Sequence, residues 1–230
     1  MLPASLDNFD PLAAKFRGFL ASPRFPCVGA KAALAKNQVQ FIVARDIRSA
    51  WDDMRIYPAL FNFAKHDRAS KRQYQSFVVI FRGPLSLNEA DYEACLWQRL
   101  QSLTDKDEWH GQTHDRRVSA DPANPHFSLS FGGEGFFAVG LHPNASRPAR
   151  RFSHPAIVFN LHDQFTQLRN RDVFGRMQEK IRQRDMELAG SANPMLQEFG
   201  EESEARQYSG RVVGDGWACP YHRDSGGSGR

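Results

Sequence analysis

Apolar and polar positions alternate strictly over Phe127-Ser128-Leu129-Ser130-Phe131, the period-two pattern of a strand with one buried face. Gly132-Gly133-Glu134-Gly135 then supplies the positive-φ positions of a tight hairpin, and residues 136–141 (FFAVGL) return as a second strand. Pro143 has no N–H for a ladder, so the pattern ends that strand and sets His142 at its rim. Residues 39–44, 77–81 (FVVIF) and 156–159 complete the predicted strands. Helical spacing is expected over 11–20, with Leu12, Phe16, Phe19 and Leu20 on one face, and over 47–65. Ser86 with Glu89 three residues on forms a capping box for a helix through Leu103, whose buried stripe is Tyr92, Leu96, Leu100 and Leu103. The longest helical stretch is 161–189, broken at Asn170-Arg171-Asp172 and stopped by Gly190. Residues 104–126 read as a polar, turn-rich loop. Helices and short strands mix without a βαβ rhythm, so the expected class is α+β: one domain, with short, mostly antiparallel strands and flanking helices. Residues 1–9 and 222–230 read as disordered ends.

The 230 residues, 41% of them hydrophobic and 18 of them Phe, suffice for one sizeable core. The first 16 residues lack a long apolar stretch, so no signal peptide is read, and no run reaches membrane-spanning length. Three distant cysteines, Cys27, Cys95 and Cys219, are odd in number and suit a reduced, cytoplasmic setting. The net charge of +4 is spread among interleaved acids, which does not indicate a nucleic-acid surface.

Chemistry concentrates after the hairpin. His142 at a strand end, with Arg147, Arg150 and Arg151 close behind, suits an anionic cofactor with an open metal. The alternative is a capping histidine beside a solvated turn. Cys27 precedes 28–34 (VGAKAAL), which could place its thiol at a helix N-terminus where a thiolate is stabilised; a small buried hydrophobe is the other reading. His110, His114 and His126 sit in the polar loop as metal ligands or as solvated side chains. No G-x-S-x-G occurs, and SFGGEG is neither a P-loop nor a dinucleotide fingerprint.

Five blocks, FPCVGAKAAL, FFAVGLHPNASRPARRFSHPAIVFNLHDQF, IRQRDMELAGSANPMLQEFG, SEARQYSGR and WACP, read in order. With them the chain resembles the YqcI/YcgG family, in particular the branch that includes the guanitoxin-type, haem-dependent N-hydroxylases. The resemblance implies a b-type haem, dioxygen as co-substrate, and N-hydroxylation of a guanidine nitrogen of arginine or a related compound. An external reductant or reductase would supply electrons. On that footing His142 is the first candidate for the iron, with Phe136, Phe137 and Leu141 as the slot and Arg147, Arg150 and Arg151 on the propionates. His154 is a rival ligand or a distal group, and His162 is structural. Cys27 or Cys219 would instead give a thiolate ligand. Glu134 or Glu204 would be the carboxylate for a guanidinium, with a surface charge as the other reading of each, and Tyr208 and Ser209 could donate hydrogen bonds to bound oxygen, though nothing in the sequence requires it. The other classes are a haem carrier or sensor without turnover, and a zinc hydrolase on His142, His154 and His162. The oligomeric state is not readable from the chain.

Overall fold

A computed structural model describes residues 6–70, 74–164, 174–195 and 199–223. Its centre is a five-stranded sheet: β1 (Val39–Asp46), β2 (Ser76–Gly83), β3 (Leu129–Phe131), β4 (Glu134–Leu141) and β5 (Ala156–Leu161), in the order β1-β2-β5-β4-β3. β1 and β2 are parallel and the other pairs antiparallel, so the chain is α+β with a mixed, mostly antiparallel sheet.

Each central strand is apolar on both sides because both faces of the sheet are covered. One face carries Phe77, Val79, Phe136, Ala138, Ile157 and Phe159 against α3 (Asp53–Ser70) and α4 (Glu89–Trp109). The other carries Val78, Ile80, Leu141 and Ala156 towards α1 (Pro11–Ala21) and α2 (Val28–Ala35). α5 (Phe174–Ala189) lies beside α2 and a 3-10 turn at Pro148–Arg150, and a short α6 (Ala205–Tyr208) lies against β4. No helix among the described residues is long and apolar enough to cross a membrane.

Several boundaries differ from the pattern for local reasons. The hairpin turn is Gly132-Gly133 alone, at φ 61° and 79°, so Glu134 and Gly135 already pair with Phe131 and Ser130. The helix expected from residue 47 starts at Asp53, after a 3-10 turn over Ala50–Asp52 whose Trp51 N–H is taken by Ser49 Oγ at 3.2 Å. The capping box at Ser86 does not form. Asn88 caps α4 through Asp91 N–H at 2.9 Å, while Glu89 reaches Ser146 N–H and Oγ instead. α4 also runs to Trp109, into the expected loop, because Leu103 and Asp107 still face the interior. The long helical stretch begins as strand through Leu161, and the expected break at Asn170-Arg171-Asp172 lies outside the described residues.

Near both ends the described residues hydrogen-bond to the body of the fold. Asp7 Oδ2 and Asn8 Oδ1 accept from Val43 and Phe41 N–H at 2.8 and 3.0 Å, which covers the open edge of β1. Arg223 is held by Asp107 and by the Ser130 carbonyl.

Candidate functional site

Between the sheet and the layer of α1, α2 and α5 lies a cavity of about 370 Å3. Strand alternation makes its floor: Val78 of β2, Val158 of β5 and Phe137 and Val139 of β4 point into it, while their neighbours fill the opposite core. Two polar side chains interrupt that floor. Ser76 and Asn160, paired across β2 and β5, bind each other through Ser76 Oγ and Asn160 Oδ1 at 2.7 Å. Phe16 and Leu20 of α1 and Met177 and Ile181 of α5 supply apolar walls.

Cys27 enters the same wall because two prolines nearby keep Ser22 to Pro26 out of helix. It is the N-cap of α2, and its Sγ accepts the Ala30 N–H at 3.4 Å. Burial pushes the thiol up from its ordinary pKa, while the Ala30 and Gly29 N–H groups and the Arg150 charge pull the other way. Gly29 leaves space beside the sulfur: a Cβ there would stand 3.9 Å from Cys27 Sγ, Met177 Sδ and Tyr74 Cδ1.

The three arginines divide. A 3-10 turn has about three residues per turn, so Arg147 and Arg150 share one side, and both line the cavity. Arg151 turns away and binds the carbonyls of Ala145 and Ser146, each at 3.0 Å. Arg147 is neutralised by Asp185 of α5, with Nε and Nη2 at 3.0 and 2.5 Å from Oδ2. Arg150 donates to the Gly140, Gln207 and Tyr208 carbonyls at 3.0, 3.0 and 3.2 Å, and no carboxylate among the described residues forms an ion pair with it. Burial draws its guanidinium down to about 10.

Glu204 reaches the cavity wall as the residue before α6. Its Oε2 accepts Ser128 Oγ at 2.7 Å and the Tyr208 hydroxyl at 3.3 Å, and His162 Nε2 lies 3.8 Å from Oε1. Tyr208 itself is fully buried, and its phenol is raised by burial and then by Glu204.

The remaining candidates stand elsewhere. His142 is one residue out of phase with the cavity-facing side chains of β4, so its ring lies on the other side of the sheet. There it stacks on Tyr92 with centroids 4.3 Å apart, and its Nδ1 is buried with no hydrogen-bond partner among the described residues. His142 N–H donates to the Arg150 carbonyl at 3.1 Å, but its ring does not join Arg147 and Arg150 on the cavity wall. Glu134 is held by Arg117 at 2.6 Å, outside the cavity wall. His154 pairs with Ser153 Oγ at 3.0 Å, and Ser209 Oγ donates to Glu93 at 2.9 Å. Cys219 packs against the α3–α4 core, where burial pushes its thiol to about 12. His110 stacks on Tyr57 and His126 meets Phe199 edge-on. Burial lowers His114 to about 4. Among the described residues no three His, Cys, Asp or Glu side chains gather to hold a metal ion.

Sequence reasoning missed Asp185, the partner of Arg147, because 38 residues separate them and no local spacing joins them. It also passed over Asn160, although a polar residue inside AIVFNL is a visible signal. His162 lies beside Glu204, with its ring centroid 4.4 Å from that of Phe199.

The model of the YqcI/YcgG family matches residues 16–222. Among curated proteins the chain is similar to the uncharacterized protein YqcI of Bacillus subtilis (strain 168), with 28% identity over 187 residues that cover 78% of this chain and 70% of that one. No solved structure matches.

Proposed function

We infer function from one premise, that the chain belongs to the YqcI/YcgG family, and from the contents of the cavity. We propose that it is a haem-dependent oxygenase that hydroxylates a guanidine nitrogen of arginine or a related compound, in a cytoplasmic setting where its three unbridged cysteines stay reduced. The observation that carries the proposal is the convergence of Cys27, Phe137, Arg147, Arg150 and Glu204 on one cavity from four separate stretches of chain.

The donor set fits the group. An apolar floor suits a macrocycle, and Arg150 on the cavity wall offers a cation to a propionate through a charge-assisted bond. Arg147 lies beside it, already fixed by Asp185. The volume falls within the roughly 300–1,000 Å3 of sites that enclose small ligands. Bound haem would supply the binding and activation of dioxygen.

The chain's own groups do the rest. Glu204 presents a carboxylate, held in place by Ser128 and Tyr208, to a guanidinium cation. Phe16 and Leu20 of α1 and Met177 and Ile181 of α5 give the substrate an apolar surround. One atom of dioxygen enters the new N–O bond and the other leaves as water. Each turnover thus takes two electrons and two protons from an external reductant or reductase.

Haem titration of the purified protein tests the proposal. Saturable growth of a Soret band, followed by formation of an N-hydroxyguanidine from arginine or a related guanidine with dioxygen and a reductase couple, is the expected result. A protein that takes up no haem overturns it. Haem uptake without turnover on any guanidine would make the protein a carrier or sensor.

A further inference from the structure

We infer that Asn160, held by Ser76, is a specificity-determining residue of the cavity: its amide N–H donates to an oxygen acceptor that the substrate carries besides its guanidine. The inference rests on the guanidine reading above. It narrows the substrate class to guanidines with a carboxylate or hydroxyl on the carbon chain.

Strands covered on both faces are ordinarily apolar throughout. β2 and β5 nevertheless place one polar side chain each, Ser76 and Asn160, directly opposite one another in the register, and both line the cavity. Val78 and Val158, the next facing pair on that side, continue the floor as apolar groups. A second apolar pair in place of Ser76 and Asn160 would have spared the cost of desolvating an amide and a hydroxyl. The polar pair is therefore a departure that calls for a partner.

Hydrogen-bond accounting fixes how the amide is turned. The Ser76 hydroxyl has one proton and gives it to Asn160 Oδ1 at 2.7 Å. A turned amide would leave that proton without an acceptor among the described residues. Nδ2 thus keeps two N–H groups, for which no described residue supplies an acceptor. Gln164, also in the wall, is committed to Gln75, whose N–H and carbonyl it meets through Oε1 and Nε2, each at 3.0 Å.

This donor stands beside the Glu204 carboxylate by two independent routes. Asn160 faces Phe137 across β4 and β5, the Phe137 ring meets Tyr208 with centroids 5.3 Å apart, and the Tyr208 hydroxyl binds Glu204. His162, two residues after Asn160 and so within about 7 Å along the chain, has Nε2 3.8 Å from Glu204 Oε1. The cavity therefore sets an anion that accepts and a neutral amide that donates near each other. A guanidinium has N–H donors only, so it satisfies Glu204 and offers Asn160 nothing. The complement of the pair is one molecule with a guanidinium and, a few bonds away, an oxygen lone pair. A site built to hydrogen-bond such a group discriminates against the analogue that lacks it.

The test is calorimetry on the haem-loaded full chain with three guanidines of equal carbon chain: 1-butylguanidine, 4-guanidinobutanoate and 4-guanidinobutan-1-ol. Wild type should bind the carboxylate or the hydroxyl compound about tenfold more tightly than 1-butylguanidine, and the one preferred names the acceptor. Glu204→Gln should weaken all three by a common factor and leave that preference in place. The double variant Ser76→Ala/Asn160→Leu leaves no polar group of the pair unmatched, so it should take up haem as wild type does and bind all three alike. Should it not fold, two single variants decide through the same ratio. Ser76→Ala frees the amide to turn and should shrink the preference. Asn160→Asp still accepts from Ser76 but sets a negative charge where the donor stood, and should bind 4-guanidinobutanoate no better than 1-butylguanidine. Equal binding of the three by wild type, or a wild-type preference that survives in the double variant, overturns the assignment of Asn160 and leaves the guanidine reading standing. So does an undiminished preference in Ser76→Ala, or tighter binding of all three by Asn160→Asp, which would show the amide oxygen facing the ligand. No binding of any of the three to wild type would remove the guanidine reading itself, and this inference with it.

Discussion

Replacing Glu204 by Gln separates the charge of this carboxylate from its structural bonds. Glu204 is 6% exposed, so its charge acts with little screening by water. In the variant the amide oxygen can still accept from Ser128 Oγ and the Tyr208 hydroxyl, which lie 2.7 and 3.3 Å from the present Oε2. The amide nitrogen then takes the place of Oε1, 3.8 Å from His162 Nε2, and can donate towards it. The fold should therefore lose no more than about 1 kcal/mol. What is removed is the charge opposite a guanidinium. A buried charge-assisted bond is worth about 2 kcal/mol, or roughly thirtyfold in affinity. Calorimetry with arginine should show a rise in Kd of that order, with an unchanged Soret band and a Tm lowered by no more than about 2–4 °C. A neutral urea analogue of the substrate provides the internal control. Wild type should prefer the guanidine over it by a similar roughly thirtyfold factor, and Glu204→Gln should bind the two alike. If arginine binds the variant as tightly as wild type, Glu204 is a structural partner of Ser128 and Tyr208 and does not bind the substrate.

Three further outcomes follow from the packing and the charges. Burial raises the Asp115 carboxyl, but Arg117 outweighs this and holds it below the ordinary 3.8, so its contribution to stability is present above that value and is lost as pH falls through the lower folded one. Arg117→Met should remove about 1 kcal/mol at neutral pH, since the arginine is half exposed, and should start the acid unfolding limb at higher pH; identical denaturant midpoints from pH 7 to 2 would refute this. Gly140→Ala should destabilise by about 1–3 kcal/mol or more by chemical denaturation, because its Cβ would lie 2.7 Å from Tyr92 Oη, which is fixed on the Ala156 carbonyl; an unchanged midpoint would show that Tyr92 can yield. Gly29→Ala has ordinary contacts at 3.9 Å and should stabilise the ligand-free chain by about 0.4–1 kcal/mol, yet weaken haem uptake by occupying the space beside Cys27; equal or tighter uptake would contradict the placement of the cavity.

The alternating run at 127–131, the apolar runs at 39–44, 77–81 and 136–141 and the helical stripe of Tyr92, Leu96 and Leu100 were legible because such patterns are local and complete within a few residues. The same holds for the stop at Gly190 and for Cys27 before α2, where a single residue meets the backbone requirement. Boundaries that depended on a distant partner were not legible. Glu89 serves Ser146 across 57 residues, and α4 continues to Trp109 because Asp107 meets Tyr57 and Gly132. For the site, the sequence held the residue types, the close set of three arginines and the acid at 204. It could not decide which of them meet. A run covered on both faces carries no polar residue to label its sides, so nothing local said that Phe137 faces α2 while His142 faces α4. Nor does spacing tell a 3-10 turn, which joins Arg147 to Arg150 and excludes Arg151, from an irregular one. Those assignments were made only when β4 took its place between β3 and β5 and two helical layers closed over the sheet.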